Sequence, residues 1–369
     1  MMIGILKEPA HETRVSLLPE AVAALTKKGV ALIVEKNAGL KAFASDEDYT
    51  KAGAYIKERA EIISGADVIL AIHQPDASEI PQLSKKIIIG VYQPLFHIEK
   101  MNSWASAGLT TFSLDMLPRT TRAQSMDVLS SQANIAGYKA VLLAANEYPR
   151  YLPMFMTAAG SIAPAKVLIL GAGVAGLQAI ATAKRLGSVV EVFDTRPAVK
   201  EEVMSLGAKF IEVEGAADAS KAGGYAVEQS EEFLARQKAR IAESIAKADI
   251  VITTAQIPGR KAPVLITEEM LAQMRNGSVI IDLAAATGGN TPVTRNNETI
   301  IHHGVKIIGN SNLPSGMPAD SSKMYGKNVL NFLQLMITKE GKLHLNWDDD
   351  LVKGCCITHE GQVVHDRIR

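Results

Sequence analysis

Short apolar runs alternate with helical patterns along most of the chain. Residues 2–6, 30–35, 68–72 and 87–92 are rich in Ile, Val and Leu, 109–114 carries Leu, Phe and Thr, and all are strand candidates. Near-continuous apolar runs of this length are the pattern of strands buried on both faces of a parallel sheet. The segments between them read as helices; in residues 19–28, Pro19 stands in the first turn and Gly29 follows the end. Strands and helices spaced in this way imply right-handed crossovers. A polar stretch at 118–131 interrupts the series, and a helix is expected from about 134 to 148. After Pro149, Pro153 and Pro164 a second series follows, with strands expected at 166–170, 189–194, 209–213, 249–253, 278–283 and 305–308. Six strands with intervening helices match a doubly wound nucleotide-binding sheet. Residues 320–338 then read as one amphipathic helix with Val329, Phe332, Leu333 and Met336 at core spacing, and a hairpin is expected around Glu360 and Gly361.

Composition narrows the class. A chain of 369 residues has room for two or three domains with real cores. Lys plus Arg equals Asp plus Glu, 39 against 39, so no net field draws it to nucleic acid or to an anionic membrane surface. The apolar stretch between Lys166 and Lys184 falls just short of the ~18 to 20 residues of a membrane helix, and its glycine spacing reads as strand, turn, helix. The first fourteen residues carry Lys7, Glu8, His11 and Glu12, which leaves no apolar core for a signal peptide, and a cytoplasmic protein is expected. The two cysteines, Cys355 and Cys356, are adjacent and poorly placed for a disulfide, and read as buried small apolar residues of a reducing compartment. His302 with His303, and likewise His359 and His365, read as solvated side chains, so no metal site is expected.

Gly171, Gly173 and Gly176 form G-A-G-V-A-G directly after the apolar run 167–170 and directly before a helix. In that context the first glycine permits a tight turn, the second lets the backbone approach a pyrophosphate, and the third lets the helix pack closely on the sheet. The helix N-terminus offers unpaired N–H groups to the phosphates. Asp194 ends the next strand eighteen residues after Gly176, where an acid accepts hydrogen bonds from a ribose 2′-OH and repels a 2′-phosphate. NAD is therefore expected over NADP, although Arg196, two residues on, is of the type that accommodates that phosphate. Residues 215–225 read either as a solvated surface loop or as a lid with Tyr225 as its aromatic contact.

These motifs carry a family resemblance. Through IGILKEPAHETRVSLLPE, PRTTRAQSMDVLSSQANIAGYKAV, the glycine segment, GGYAVE, ITTAQIPGRKAPVLIT and GSVIIDLAAATGGN the chain resembles the NAD(H)-binding alpha-1 subunits of proton-translocating NAD(P) transhydrogenases, a family similar in fold to alanine dehydrogenase. The resemblance implies an α/β fold of two Rossmann-like parallel-sheet domains flanking a cleft. The first domain is then residues 1–132 plus 313–369, with the C-terminal segment returning to it, and the NAD-binding domain is 133–312. It further implies that Arg119, Gln124 and Asp127 position the nicotinamide and its ribose, roles that a planar donor fork, an amide and a carboxylate can fill. Around the cofactor it implies Leu129, Ser130, Gly171, Ala172, Gly173, Val174, Gly176, Asp194, Thr195, Arg196, Gly224, Tyr225, Gln237, Thr254, Ala255 and Gln256; the family carries Leu at the last of these. Implied partners are a second copy, an NADP(H)-binding subunit and a membrane-spanning subunit, through which the chain would attach peripherally to the inner membrane.

Two other functions fit parts of the sequence. An alanine dehydrogenase needs groups to move protons and hold an imine. Where that family places its Lys, His and Asp, this chain has His73, Gln93 and Ala286, with His97 four residues from the expected histidine; only the substrate-carboxylate Arg has a counterpart, Arg14. Hydride exchange between two nicotinamides needs no such set, since the redox chemistry belongs to the cofactors. An NAD-sensing module without turnover also fits those absences, but it has no need of the RAQSMD segment that would fix the nicotinamide end.

Overall fold

The computed structural model describes residues 1–213 and 230–369, so the lid candidates Gly224 and Tyr225 lie outside the described residues. The chain divides into two compact units, Met1–Gln132 with Ser315–Arg369, and Ala133–Pro314.

In the first unit, strands β1 (Met2–Ile5), β2 (Ala31–Glu35), β3 (Tyr55–Lys57), β4 (Val68–Leu70), β5 (Ile87–Gly90) and β6 (Thr110–Ser113) lie in the order β3-β2-β1-β4-β5-β6, all parallel. The apolar runs form these strands because both faces are buried: Ile3, Ile5, Leu32, Val34, Val68 and Leu70 enter one core, while Ile33, Ile69 and Ile88 enter the other. Alternation at period two thus feeds two cores from one run. The three-residue β3 has no apolar run and escapes the sequence pattern.

The second unit begins with an isolated hairpin, β7 (Phe155–Thr157) and β8 (Gly160–Ile162), followed by β9 (Lys166–Leu170), β10 (Val189–Phe193), β11 (Lys209–Phe210), β12 (Ile250–Thr253), β13 (Val279–Asp282), β14 (Thr299–His302) and β15 (Val305–Ile308). Their sheet order is β11-β10-β9-β12-β13-β15-β14, parallel except for the last pair. Without β14 this is the doubly wound order, with a switch point between β9 and β12, just as the first sheet has one between β1 and β4. The chain then returns to the first unit through the helix Pro318–Leu333, and β16 (Cys356–His359) pairs antiparallel with β6, followed by β17 (Gln362–Val363). The helix expected over 320–338 stops at Leu333, and Ile337 bridges Leu343 instead. Glu360 and Gly361, at φ 46 and 78, make the expected turn between the last two strands.

The helix expected from 134 starts earlier, as Val128–Glu147. Asp127 precedes it and accepts from the Ser130 N–H at 2.9 Å and from the Ser130 hydroxyl at 2.6 Å, an N-terminal cap that makes residues 128–131 the first helical turn. Cys355 and Cys356 are buried free thiols, and burial pushes the Cys356 thiol up to about 12. No described helix is long and apolar enough to cross a membrane.

Candidate functional site

The glycine motif sits at the switch point of the second sheet. Gly171, at φ 107, follows β9, and a Cβ there would meet the Thr254 Oγ1 at 2.2 Å. The loops after β9 and β12 therefore touch, and Thr254 fastens them by donating from N to the Leu170 carbonyl at 2.9 Å. A Cβ on Gly176 would lie 1.9 Å from the Gly171 carbonyl, so only glycine lets the helix Val174–Arg185 start this close to the strand. Gly173 differs from both: nothing lies within 4 Å of the position a Cβ would take. It also begins a helix with no side-chain cap, and the first N–H groups of that helix are left to an incoming acceptor. Val174, in the first turn, is 41% exposed, whereas Ala172 is buried.

Asp194, just past β10, is wrapped more fully than its expected role requires. Its Oδ2 accepts from the Ala172 N–H at 2.7 Å and from Arg196 Nη2 at 2.7 Å, and its Oδ1 accepts from the Arg196 N–H at 2.8 Å and from Arg196 Nε at 2.9 Å. A carboxylate has about four acceptor positions, so protein donors fill them all. Thr195 lies between the pair and is half-buried. Across the switch point, Ala255 donates to Asn290 Oδ1 at 3.2 Å, and Asn290 Nδ2 donates to the carbonyls of Ala255 at 2.9 Å and Pro263 at 2.8 Å. Asn290 is fully buried and in turn donates its N–H to Asp282 at 2.6 Å, so the loop after β12 is held by the last residue of the GSVIIDLAAATGGN segment, for which no role at the site is expected from the sequence. Gln256 takes a polar partner, donating from Nε2 to the Leu283 carbonyl at 2.7 Å. Gln237, on the helix Glu231–Ile245, is buried, and its Oε1 has no partner among the described residues.

The remaining expected residues belong to the first unit. Arg119 and Gln124 are exposed, Asp127 and Ser130 are joined in the helix cap, and Leu129 is 39% exposed in the first turn. This segment is braced from the C-terminal part of the same unit. Asn328 and Asn331 each donate to the Ser125 carbonyl at 2.9 Å, and Arg122 forms a fork on Asp349 and Asp350. Arg122 lies inside the RAQSMD-bearing segment, but its partners are 227 and 228 residues away, beyond any local pattern.

The switch point of the first sheet is occupied by the unit's own side chains. Glu8, after β1, accepts from the N–H groups of Ile72 at 2.6 Å and His73 at 3.1 Å, after β4. Burial raises its carboxyl to about 7. Beside it, Glu12 is held well below the usual carboxylate range: burial works against this, but hydrogen bonds from His73, Arg14 and Ser315 outweigh it. Arg14 clamps Glu12 through Nε at 2.9 Å and Nη2 at 2.7 Å, and its Nη1 donates to Gln132 at 2.8 Å. Arg14 is thus a buried, paired cation with both faces of its fork in use.

His302 and His303 are solvent-accessible, as expected, but they also share a partner. They end β14 and begin its turn, and both Nε2 atoms lie against Glu268 Oε1, at 2.5 and 2.9 Å.

Comparisons with known proteins agree along the whole length. Residues 4–136 match the family described as Alanine dehydrogenase/PNT, N-terminal domain, and residues 140–366 match its C-terminal domain. The chain is 45% identical over 376 residues to the first part of NAD(P) transhydrogenase subunit alpha from Rhodospirillum rubrum, covering 99% of this chain and 98% of that one. It superposes on the transhydrogenase from Sinorhizobium meliloti with a TM-score of 0.90 and 47% identity, covering 99% of this chain and 100% of the other. An L-alanine dehydrogenase is also similar, with a TM-score of 0.83 and 25% identity, covering 100% and 98%.

Proposed function

From the premise that this chain belongs to the alanine dehydrogenase/PNT family, we propose that it is the NAD(H)-binding subunit of a proton-translocating NAD(P) transhydrogenase. It would act as a homodimer, a mass that sedimentation equilibrium reports, and attach peripherally to the inner membrane from the cytoplasm through an NADP(H)-binding subunit and a membrane-spanning subunit. When bound, NADH supplies a hydride to NADP⁺ held on the partner, and proton movement is coupled to that exchange elsewhere in the complex.

The observation that carries the nucleotide assignment is the contrast between the two sheets. Both have the doubly wound order, but the switch point of the first is closed by Glu8, Ile72 and His73, while that of the second is open at Gly173 in front of an uncapped helix. A pyrophosphate fits the second, with Gly171, Ala172, Gly173, Val174 and Gly176 as its cradle. Asp194, Thr195 and Arg196 would meet the adenosine ribose, Thr254, Ala255 and Gln256 would line the loop opposite, and Gln237 brings a buried acceptor without a partner among the described residues. Arg119, Gln124 and Asp127 would align the nicotinamide, with Leu129 and Ser130 behind them. Asp127 is committed to the helix cap in this structure, so it works by fixing Ser130 and the start of the helix.

Alanine dehydrogenase chemistry is disfavoured by Arg14. An arginine that receives a substrate carboxylate needs a free fork, and here Glu12 and Gln132 hold it. NAD⁺-dependent oxidation of L-alanine by the chain alone is expected to be absent, and its appearance in a spectrophotometric assay overturns the reading. Gln124→Ala is expected to slow single-turnover hydride transfer about tenfold at saturating NADH, a barrier change of ~1.4 kcal/mol, while leaving the NADH dissociation constant within about twofold. An unchanged rate with weaker binding would make Gln124 an anchor instead.

A further inference from the structure

Among the described residues one group of His and Glu side chains brings three ligand-type atoms within 4.8 Å of one another, and no step of the proposed function uses it. We propose that Glu268, His302 and His303 form a binding site for a divalent transition-metal ion of the zinc class, with an open position for water.

The donor set selects the ion. Two imidazole nitrogens and one carboxylate oxygen suit zinc, nickel or copper, whereas calcium and magnesium need shells of oxygen. Three protein ligands leave the fourth corner of a tetrahedron to water.

The geometry is set by the hairpin. His302 pairs with Val305 across the end of β14 and β15, which leaves a two-residue loop of His303 and Gly304 at φ 49 and 73. Positive φ at both positions is the tight primed turn that matches strand twist. Gly304 is pinned in it, because a Cβ there would meet Asn276 Oδ1 at 2.3 Å. Neighbouring residues of a fixed turn therefore present both Nε2 atoms to one carboxylate oxygen, at 2.5 and 2.9 Å. Bonds of about 2.0 to 2.2 Å to a tetrahedral ion space the ligand atoms about 3.3 Å apart. At that spacing the Glu268 oxygen stands about 0.8 Å too close to one nitrogen and about 0.4 Å too close to the other, and its half-exposed side chain, on the first residue of the helix Glu268–Ala272, can withdraw by that much.

The site lies at the sheet edge, four strands or about 19 Å across from β9, and at the opposite end of the sheet from the glycine motif, because the turn at His303 is level with the start of β9. A bound ion would tie the edge hairpin to the helix that ends the segment after β12. That segment carries Thr254, Ala255 and Gln256, and its Leu265 and Ile266 N–H groups already donate to the Asn290 carbonyl. The expected consequence is stiffening of the loop opposite the glycine turn, with no part in hydride transfer.

The test titrates the chelator-treated full chain with ZnCl₂ by calorimetry and with CoCl₂ by visible absorption. One equivalent per chain is expected, with the intense d–d bands of a low-coordinate Co²⁺ site. His302→Gln and His303→Gln should each raise the dissociation constant about tenfold or more, and the double variant should lose the equivalent. Glu268→Gln provides an independent variant on another element, with the same loss expected. Absence of binding to the parent chain, or binding unchanged in the double variant and in Glu268→Gln, overturns the proposal.

Discussion

Asp194 shows how one side chain can serve a fold and a preference at once. Its four acceptor positions are filled by Ala172 and Arg196, so a ribose 2′-OH reaches it only by displacing an arm of Arg196. The released guanidinium stays close by, which tempers the repulsion of a 2′-phosphate that an unpaired carboxylate would exert. Asp194→Asn should therefore weaken NADH about tenfold, ~1.4 kcal/mol, and narrow the preference over NADPH. Fluorescence titration with both nucleotides checks this, and an undiminished preference would remove Asp194 from the specificity argument. Glu8 tests the closed site in the first unit. Its folded value is raised from the ordinary 4.5 to about 7, so the folded state keeps a proton that the unfolded chain releases. The stabilisation is full below about pH 4.5 and is lost as pH rises toward 7, with a slope of up to about 1.4 kcal/mol per pH unit. Urea unfolding at pH 5, 6 and 7 should show this decline in the parent chain and its disappearance in Glu8→Gln, whatever that variant's absolute stability. Equal slopes would place the proton elsewhere.

At the scale of elements, the helix Val128–Glu147 meets the nucleotide turn backbone to backbone. A Cβ on Gly137 would lie 2.1 Å from the Ala175 carbonyl in the first turn of the helix Val174–Arg185. Gly137→Ala should cost about 1 to 3 kcal/mol in urea unfolding and weaken NADH binding as well, since the carbonyl that must give way belongs to the phosphate-facing turn. A neutral substitution would mean that the two helices part without disturbing that turn. Which elements are legible in the sequence follows from burial. The parallel strands and the glycine turn are, because a two-faced core demands continuous apolar runs and because Gly171 and Gly176 are fixed by contacts only glycine allows. Strands β3, β7, β8 and β14 are not: their side chains are largely exposed or alternate at a sheet edge, leaving no apolar signal. The polar stretch before residue 134 reads as a loop because Asp127 and Ser130 spend their polarity on a helix cap. Arg122 and Asn290 stay hidden for a different reason: their partners are set by the tertiary fold, 227 residues away for Arg122 and 35 for Asn290.

For the whole molecule, the chain builds the same sheet order twice and gives the two copies different ends. In the first unit the acids, His73 and Arg14 satisfy one another and the C-terminal strand β16 extends the sheet; in the second, an uncapped helix faces an open glycine. A second unit with an open nucleotide turn and a first unit with a closed acid–base cluster suit the binding of one dinucleotide, and under the proposed function the other is held by a partner. The most direct measurement mixes the purified chain and NADH with a competent NADP(H)-binding transhydrogenase subunit and follows reduction of a nicotinamide analogue. Turnover should require both components and be absent with either alone. Turnover by the chain alone, or none with the partner present, would show that the two nucleotides are not divided between this chain and a partner.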